Sequence, residues 1–119
     1  MSVIEILKHF LRVDSVQDLK VSNLNDSNLA AVNRFFRGKK VEYQTEAPDG
    51  NISYHRFRVI AIKPIRADEY SFSSHGGPAQ TVADYFRVVK NTKLKHPNLP
   101  VVHVGSPNMT NYVPVEVSS

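Results

Sequence analysis

The sequence predicts an α+β fold, mainly β, in which two N-terminal helices precede a small barrel of short strands carrying an inserted β-hairpin/α-helix module. Three observations lead there. Before Gly38 the apolar residues recur at helical spacing; beyond it they alternate with a period of two, the mark of strands with one buried face. Pro97, Pro100, Gly105, Pro107 and Pro114 then interrupt the last third so often that its strands must be short.

From Val3 to Arg12, Val3, Leu7, Phe10 and Leu11 share one side of an amphipathic helix. Ser15-Val16-Gln17-Asp18 resembles a capping box for at most a short turn. Asn25, Asp26 and Ser27 offer N-caps for a second helix whose apolar face is Leu29, Val32 and Phe36, and Gly38 stops it. Val41–Thr45 and Tyr54–Val59 follow as strands, joined by the turn chemistry of Pro48-Asp49-Gly50. The second runs on through Ile62, with Phe57, Val59 and Ala61 on one face and Arg56, Arg58 and Ile60 on the other.

Tyr70-Ser71-Phe72 is a short extended stretch and Ser74-His75-Gly76-Gly77-Pro78 a loop. Thr81 caps a short helix, with Asp84 expected to return the bond. Lys93–His96, Val101–Val104 and Tyr112–Val117 read as strands; in the last, Val113, Val115 and Val117 face the core, and Pro114 argues against an interior sheet position. This order of elements suits a barrel of the oligonucleotide-binding kind. Propensity alone does not separate it from other α+β domains.

The 119 residues fit one domain, 1–119, and a hydrophobic fraction of 41% suits a packed core. With no cysteine there are no disulfides, thiol nucleophiles or cysteine-bound metals. Neither a leader pattern nor an apolar run of spanning length occurs, so no membrane contact is expected and the reading is a cytoplasmic, or also nuclear, protein. The abrupt finish at Val117-Ser118-Ser119 reads as a domain excised from a longer multidomain chain.

The net charge is +4, and its distribution says more than its sum. Arg56, Arg58, Lys63 and Arg66 form a stretch free of acids, as do Arg87, Lys90, Lys93 and Lys95 in the run that begins at Tyr85-Phe86. Both are interleaved with aromatics, the composition of a groove for a nucleic-acid backbone. Two solvated strand faces would look the same. The histidines at 9, 55, 75, 96 and 103 show no metal-binding spacing. Nucleophile-elbow and phosphate-loop motifs are lacking, and Asp68-Glu69 point to opposite faces of an extended chain. The chain is therefore expected to be non-enzymatic, without metal or cofactor.

Phe36-Arg37-Gly38-Lys39-Lys40-Val41-Glu42, Phe57-Arg58-Val59, Thr81-Val82-Ala83-Asp84-Tyr85-Phe86, Leu94-Lys95-His96-Pro97-Asn98-Leu99-Pro100, Val104-Gly105 and Tyr112-Val113-Pro114-Val115-Glu116-Val117 resemble, in order and spacing, the PAZ domain of Argonaute proteins. The long basic insertion of the Dicer version is lacking. The resemblance implies a cleft between barrel and module that anchors the 3′ end of single-stranded guide small RNA, or a two-nucleotide 3′ overhang, for RNA silencing. Other domains of the parent protein would be its further partners.

Residue by residue, the resemblance implies that Phe72 supports the terminal base, that Tyr85 donates to the last bridging phosphate and that Tyr112 contacts the backbone near the pocket mouth. Helical geometry turns Phe86 about 100° from Tyr85, toward the core. Arg87 and Lys90 belong to the adjoining basic run. This chain departs from the family in carrying Thr45 for a phosphate-binding histidine, His55 and Phe57 for an arginine and a tyrosine, Lys90 for a second tyrosine and Met109 for a lysine. Two alternatives stay open: a diverged PAZ-like scaffold or protein-interaction module with weak or lost RNA binding, and a general single-strand binder.

Overall fold

The computed structural model describes residues 2–73, 77–106 and 109–119. Ser2 opens α1 (Val3–Leu11) by accepting the Glu5 amide, and α1 buries Val3 and Leu7. Single 3₁₀ turns at Val16–Asp18 and Val21–Asn23 lead to α2 (Asp26–Phe36), where the Asn25 side chain accepts the Asn28 amide at 2.9 Å. Val32 and Phe36 are the buried face of α2, and Phe10 meets Phe35 with ring centroids 5.6 Å apart. Gly38, at φ +80°, then turns the chain in a conformation open mainly to glycine.

The strands are β1 (Lys40–Glu46), β2 (Ile52–Arg66), β3 (Ser71–Ser73), β4 (Ala79–Thr81), β5 (Pro100–Ser106) and β6 (Met109–Pro114), with α3 (Val82–Val88) after β4. β1, β2, β5 and β6 form one antiparallel sheet in that order, curled into a half-barrel, while β3 and β4 pair separately as the inserted hairpin. Backbone bonds between Glu42 and Ser119, at 2.8 and 2.9 Å, lace the chain end onto the free edge of β1. Ser118 in turn accepts the Val3 amide at 3.2 Å, so both ends of the chain help to close the barrel.

The hairpin of β1 and β2 follows the expected alternation, with Val41 and Tyr43 inward and Lys40, Gln44 and Glu46 outward. Further along β2 the alternation breaks. The register passes from Val59 opposite Val104 to Ala61 opposite His103, a bulge that leaves Ile60 as the extra residue. Beyond it the faces exchange, so Ile62, not Ala61, fills the core. The Asn33 side chain on α2 accepts the Ile62 amide at 2.6 Å and fixes the bulge against the helix.

Three further expectations are corrected. Lys93–His96 is not a strand: the Glu116 carboxylate accepts the Lys95 amide at 2.7 Å and also the His96 amide, so these donors serve a side chain rather than a ladder. Tyr112–Val117 is a strand only to Pro114, after which Val115–Val117 makes a 3₁₀ turn; Val113 and Val115 are buried and Val117 only half so. Pro114 ends β6 at the sheet edge, where its missing N–H costs least. Thr81 does cap α3 by accepting the Asp84 amide at 3.1 Å, but the Asp84 carboxylate faces Arg87, 3.4 Å away, instead of returning the bond. Residues 74–76 of the expected loop lie outside the described residues.

Asn33→Ala should leave the Ile62 amide without its partner and lower stability by about 1–3 kcal/mol. Urea unfolding measures this, with exposed Gln44→Ala as the reference; equal midpoints for the two variants would show that the bulge holds without Asn33.

Candidate functional site

Phe86 is 2% exposed and meets Tyr43 with ring centroids 5.5 Å apart, which seats α3 on the inward face of the β1–β2 hairpin. Tyr85, one position earlier, is turned aside and only half-buried. Its ring stands edge-on to Phe72 at 5.4 Å, and the Lys90 ammonium lies 5.9 Å from its centroid. Tyr43 stacks on His55 at 4.7 Å with planes 18° apart, and on Phe57 at 6.1 Å. A continuous series of rings thus runs from Phe72 on the module to His55 and Phe57 on the barrel.

At the hairpin end of this series lies a cleft of about 240 Å³ whose lining includes Thr45, Ser53, His55, Val89, Lys90 and Asn91. Thr45 Oγ1 and His55 Nε2 are 3.1 Å apart. Asn91, at φ 53°, donates its side-chain amide to the Glu46 carbonyl at 3.2 Å and ties the segment after α3 to the edge of β1. Burial lowers the pKa of His55 below its ordinary 6.5, and the nearby Lys90 charge lowers it further. Burial raises that of Tyr43, with the Tyr85 hydroxyl adding to the effect. The lining therefore offers one cation, Lys90, and one carboxylate, Glu46, with the His55 imidazole and the hydroxyls of Thr45 and Ser53; the Tyr85 ring stands beside Lys90, so a phosphate that meets this cation has an aromatic face next to it.

Of the residues picked out in the sequence, Thr45, His55 and Lys90 line the cleft. Phe57 stacks on Tyr43, and the Phe72–Tyr85 pair lies outside the lining, joined to it through Lys90, whose ammonium is 5.9 Å from the Tyr85 ring. Tyr112 belongs to a second cluster, stacked on His103 at 4.8 Å and 4.4 Å from Tyr70. Hydrogen bonding to Tyr112, together with burial, pushes the Tyr70 hydroxyl up to about 12. Arg87 is exposed on α3 beside Asp84, about 200° around the helix from Tyr85, so it faces away from the ring series. The side chain of Met109 lies outside the described residues.

Tyr43 and Asn91 were not anticipated. Tyr43 shares the inward phase of Val41, and its pairing opposite His55 carried a signal once the hairpin register was counted. Asn91 carried none, since its role depends on where α3 ends. Among the described residues, no group of His, Asp and Glu could hold a metal ion, and no helix is long and apolar enough to cross a membrane.

Residues 5–119 match the family model of the PAZ domain. The chain belongs to the PAZ domain family. Among curated relatives, Argonaute 1A of Oryza sativa subsp. japonica is 30% identical over 102 residues, covering 85% of this chain and 9% of that protein. Argonaute 18 of the same plant is 34% identical over 84 residues, 71% of this chain and 7% of its own length. This PAZ domain thus spans about a tenth of the relatives it matches. The Drosophila Ago-PAZ domain solved in complex with 3′-end 2′-O-methylated RNA superposes with a TM-score of 0.72 at 25% identity, covering 99% of this chain and 95% of that one. A structure addressing 3′-end recognition of nucleic acids by the Drosophila Argonaute 2 PAZ domain gives 0.67 at 28% identity, covering 100% and 92%.

Because the folded pKa of His55 lies below the unfolded value, the unfolded chain takes up the proton first as the pH falls. The stability that neutral His55 contributes is complete above about 6.5 and is lost as the pH drops through its folded midpoint. Lys90→Met should move that midpoint upward yet leave it below 6.5, since burial persists. An NMR titration of the imidazole protons checks both statements; an unmoved midpoint would separate Lys90 from His55.

Proposed function

We propose that this PAZ domain is a binding module, rather than an enzyme, that anchors the 3′ end of a single-stranded small RNA within an Argonaute-like parent protein. The observation that carries this reading is Lys90, which lines the cleft with Thr45 and His55 and places its ammonium 5.9 Å from the ring of Tyr85, itself paired with Phe72. A terminal base needs an aromatic face, which accepts any sequence because every base has a π surface. The adjoining phosphate needs a cation or neutral donors, supplied here by Lys90 and by the one donor that the hydrogen-bonded Thr45–His55 pair keeps free. Lys90 carries more of the phosphate energy than a tyrosine would, so binding is strongly salt-dependent. The similar Drosophila domains, solved with or for 3′ ends, support the same reading.

Titration with a labelled RNA bearing a two-nucleotide 3′ overhang tests it directly. Binding should be abolished by a 3′ phosphate; indifference to the end group would point instead to general single-strand binding, and no binding at all to a scaffold role. Phe72→Ala should cost about 1–3 kcal/mol with the salt slope unchanged. Lys90→Ala should flatten the slope of log affinity against log salt by about 0.7. Identical behaviour of the two variants would refute the division between stacking and charge.

A further inference from the structure

The cleft leaves the basic stretch of β2 unused. Arg56 and Arg58 alternate with the inward residues His55 and Phe57, so both project from the opposite, outer face of the hairpin. Lys40 on β1 pairs directly across from Arg58, and both are exposed. Like charges placed opposite each other on neighbouring strands, with Cβ atoms about 5 Å apart, destabilise a sheet. Among the described residues no ion pair involves Lys39, Lys40 or Arg58, whereas Arg56 reaches Glu42 at 2.9 Å. Lys39, one position earlier, points the other way, its ammonium 4.4 Å from the centre of the Phe35 ring on α2. Tyr54, in phase with Arg56 and Arg58, is 68% exposed and shows no ring partner among the described residues.

We propose that this outer face, Lys40, Arg56, Arg58 and Tyr54, is a second nucleic-acid contact that takes the sugar-phosphate backbone of a single RNA strand, independently of any strand end. Alternate residues on β2 stand about 6.8 Å apart, which sets Tyr54, Arg56 and Arg58 in a row along the strand. An anionic backbone laid along that row neutralises the Lys40–Arg58 pair, and Tyr54 offers an exposed ring on which a base can stack. The aromatic in line with the cations favours RNA over an acidic polypeptide, which has charge but no bases. The face is open and carries no wall, so it does not read an end. It differs in this from the cleft on the other side of the same two strands.

A circular oligouridine of about 20 nucleotides, longer than the roughly 4–16 nucleotides that one such barrel covers, has no end to seat in the cleft, so it reads binding that needs no strand end, and the variants below assign that binding to the outer face. Its failure to bind is therefore separable from any failure of 3′-end anchoring. Wild-type protein should bind it with a salt-dependent affinity. The K40A/R58A double variant should flatten the salt slope by about 0.7 for each cation removed, and Y54A should weaken binding about tenfold with the slope unchanged, as a lost stacking contact does. The urea midpoint of K40A/R58A should equal or exceed that of wild type, because the repulsive pair is gone, and this shows that the fold survives. Unchanged binding in the double variant overturns the proposal. So does an unchanged Y54A; competition by oligoglutamate at equal charge concentration also overturns it and would assign the face to acidic polypeptides instead.

Discussion

The contact between Phe86 and Tyr43 is the one on which the rest of the site depends. Both rings are almost wholly buried, one contributed by the inserted module and the other by the first barrel strand. Aromatic pairs of this kind add directional preference to the area they bury, so they fix the angle at which two elements meet. With that angle set, Tyr85 is turned toward Phe72 and Lys90 toward His55, and a cleft exists between the β1–β2 hairpin and the segment that follows α3. A module seated a few ångströms away would keep the same residues and lose their arrangement.

Electrostatics within the cleft follow from the same seating. Lys90 approaches His55 because the chain leaves α3 at Val88 and is held near the β1 edge by Asn91 and the Glu46 carbonyl. Burial, with the Lys90 charge adding to it, holds the pKa of His55 below its ordinary value, and the imidazole shares a hydrogen bond with Thr45. Phe57 supplies stacking without a hydroxyl, so the polar work falls to Thr45, His55 and Lys90.

The β1–β2 hairpin serves both sides of the domain. Its inward row carries Thr45 and His55 into the cleft and stacks Tyr43 and Phe57 behind them, and its outward row, Lys40, Glu42, Tyr54, Arg56 and Arg58, lies on the other face. A period of two makes this division automatic as long as the register holds. The bulge at Ile60 ends it by exchanging the faces, which confines the two-sided stretch to the part of β2 nearest the turn.

The features legible in the sequence were those governed by near neighbours. The caps at Asn25 and Thr81, the stop at Gly38, the turn around Gly50 and the apolar stripes of α1 and α2 all depend on residues within a few positions of one another. Similarity of motifs added the family, and with it the expectation of roles for Phe72, Tyr85 and Lys90. Whatever depends on distant pairing was decided only by the tertiary structure. Lys93–His96 has the composition of a strand, yet Glu116, twenty positions away, takes its amides. Ile62 replaces Ala61 in the core because Asn33 stabilises a bulge that no local pattern announces. Tyr43 joins the site because register places it across from His55 and packing places it under Phe86. Local chemistry chooses the elements; which residues meet is chosen by hydrogen bonds and ring contacts between elements far apart in the chain.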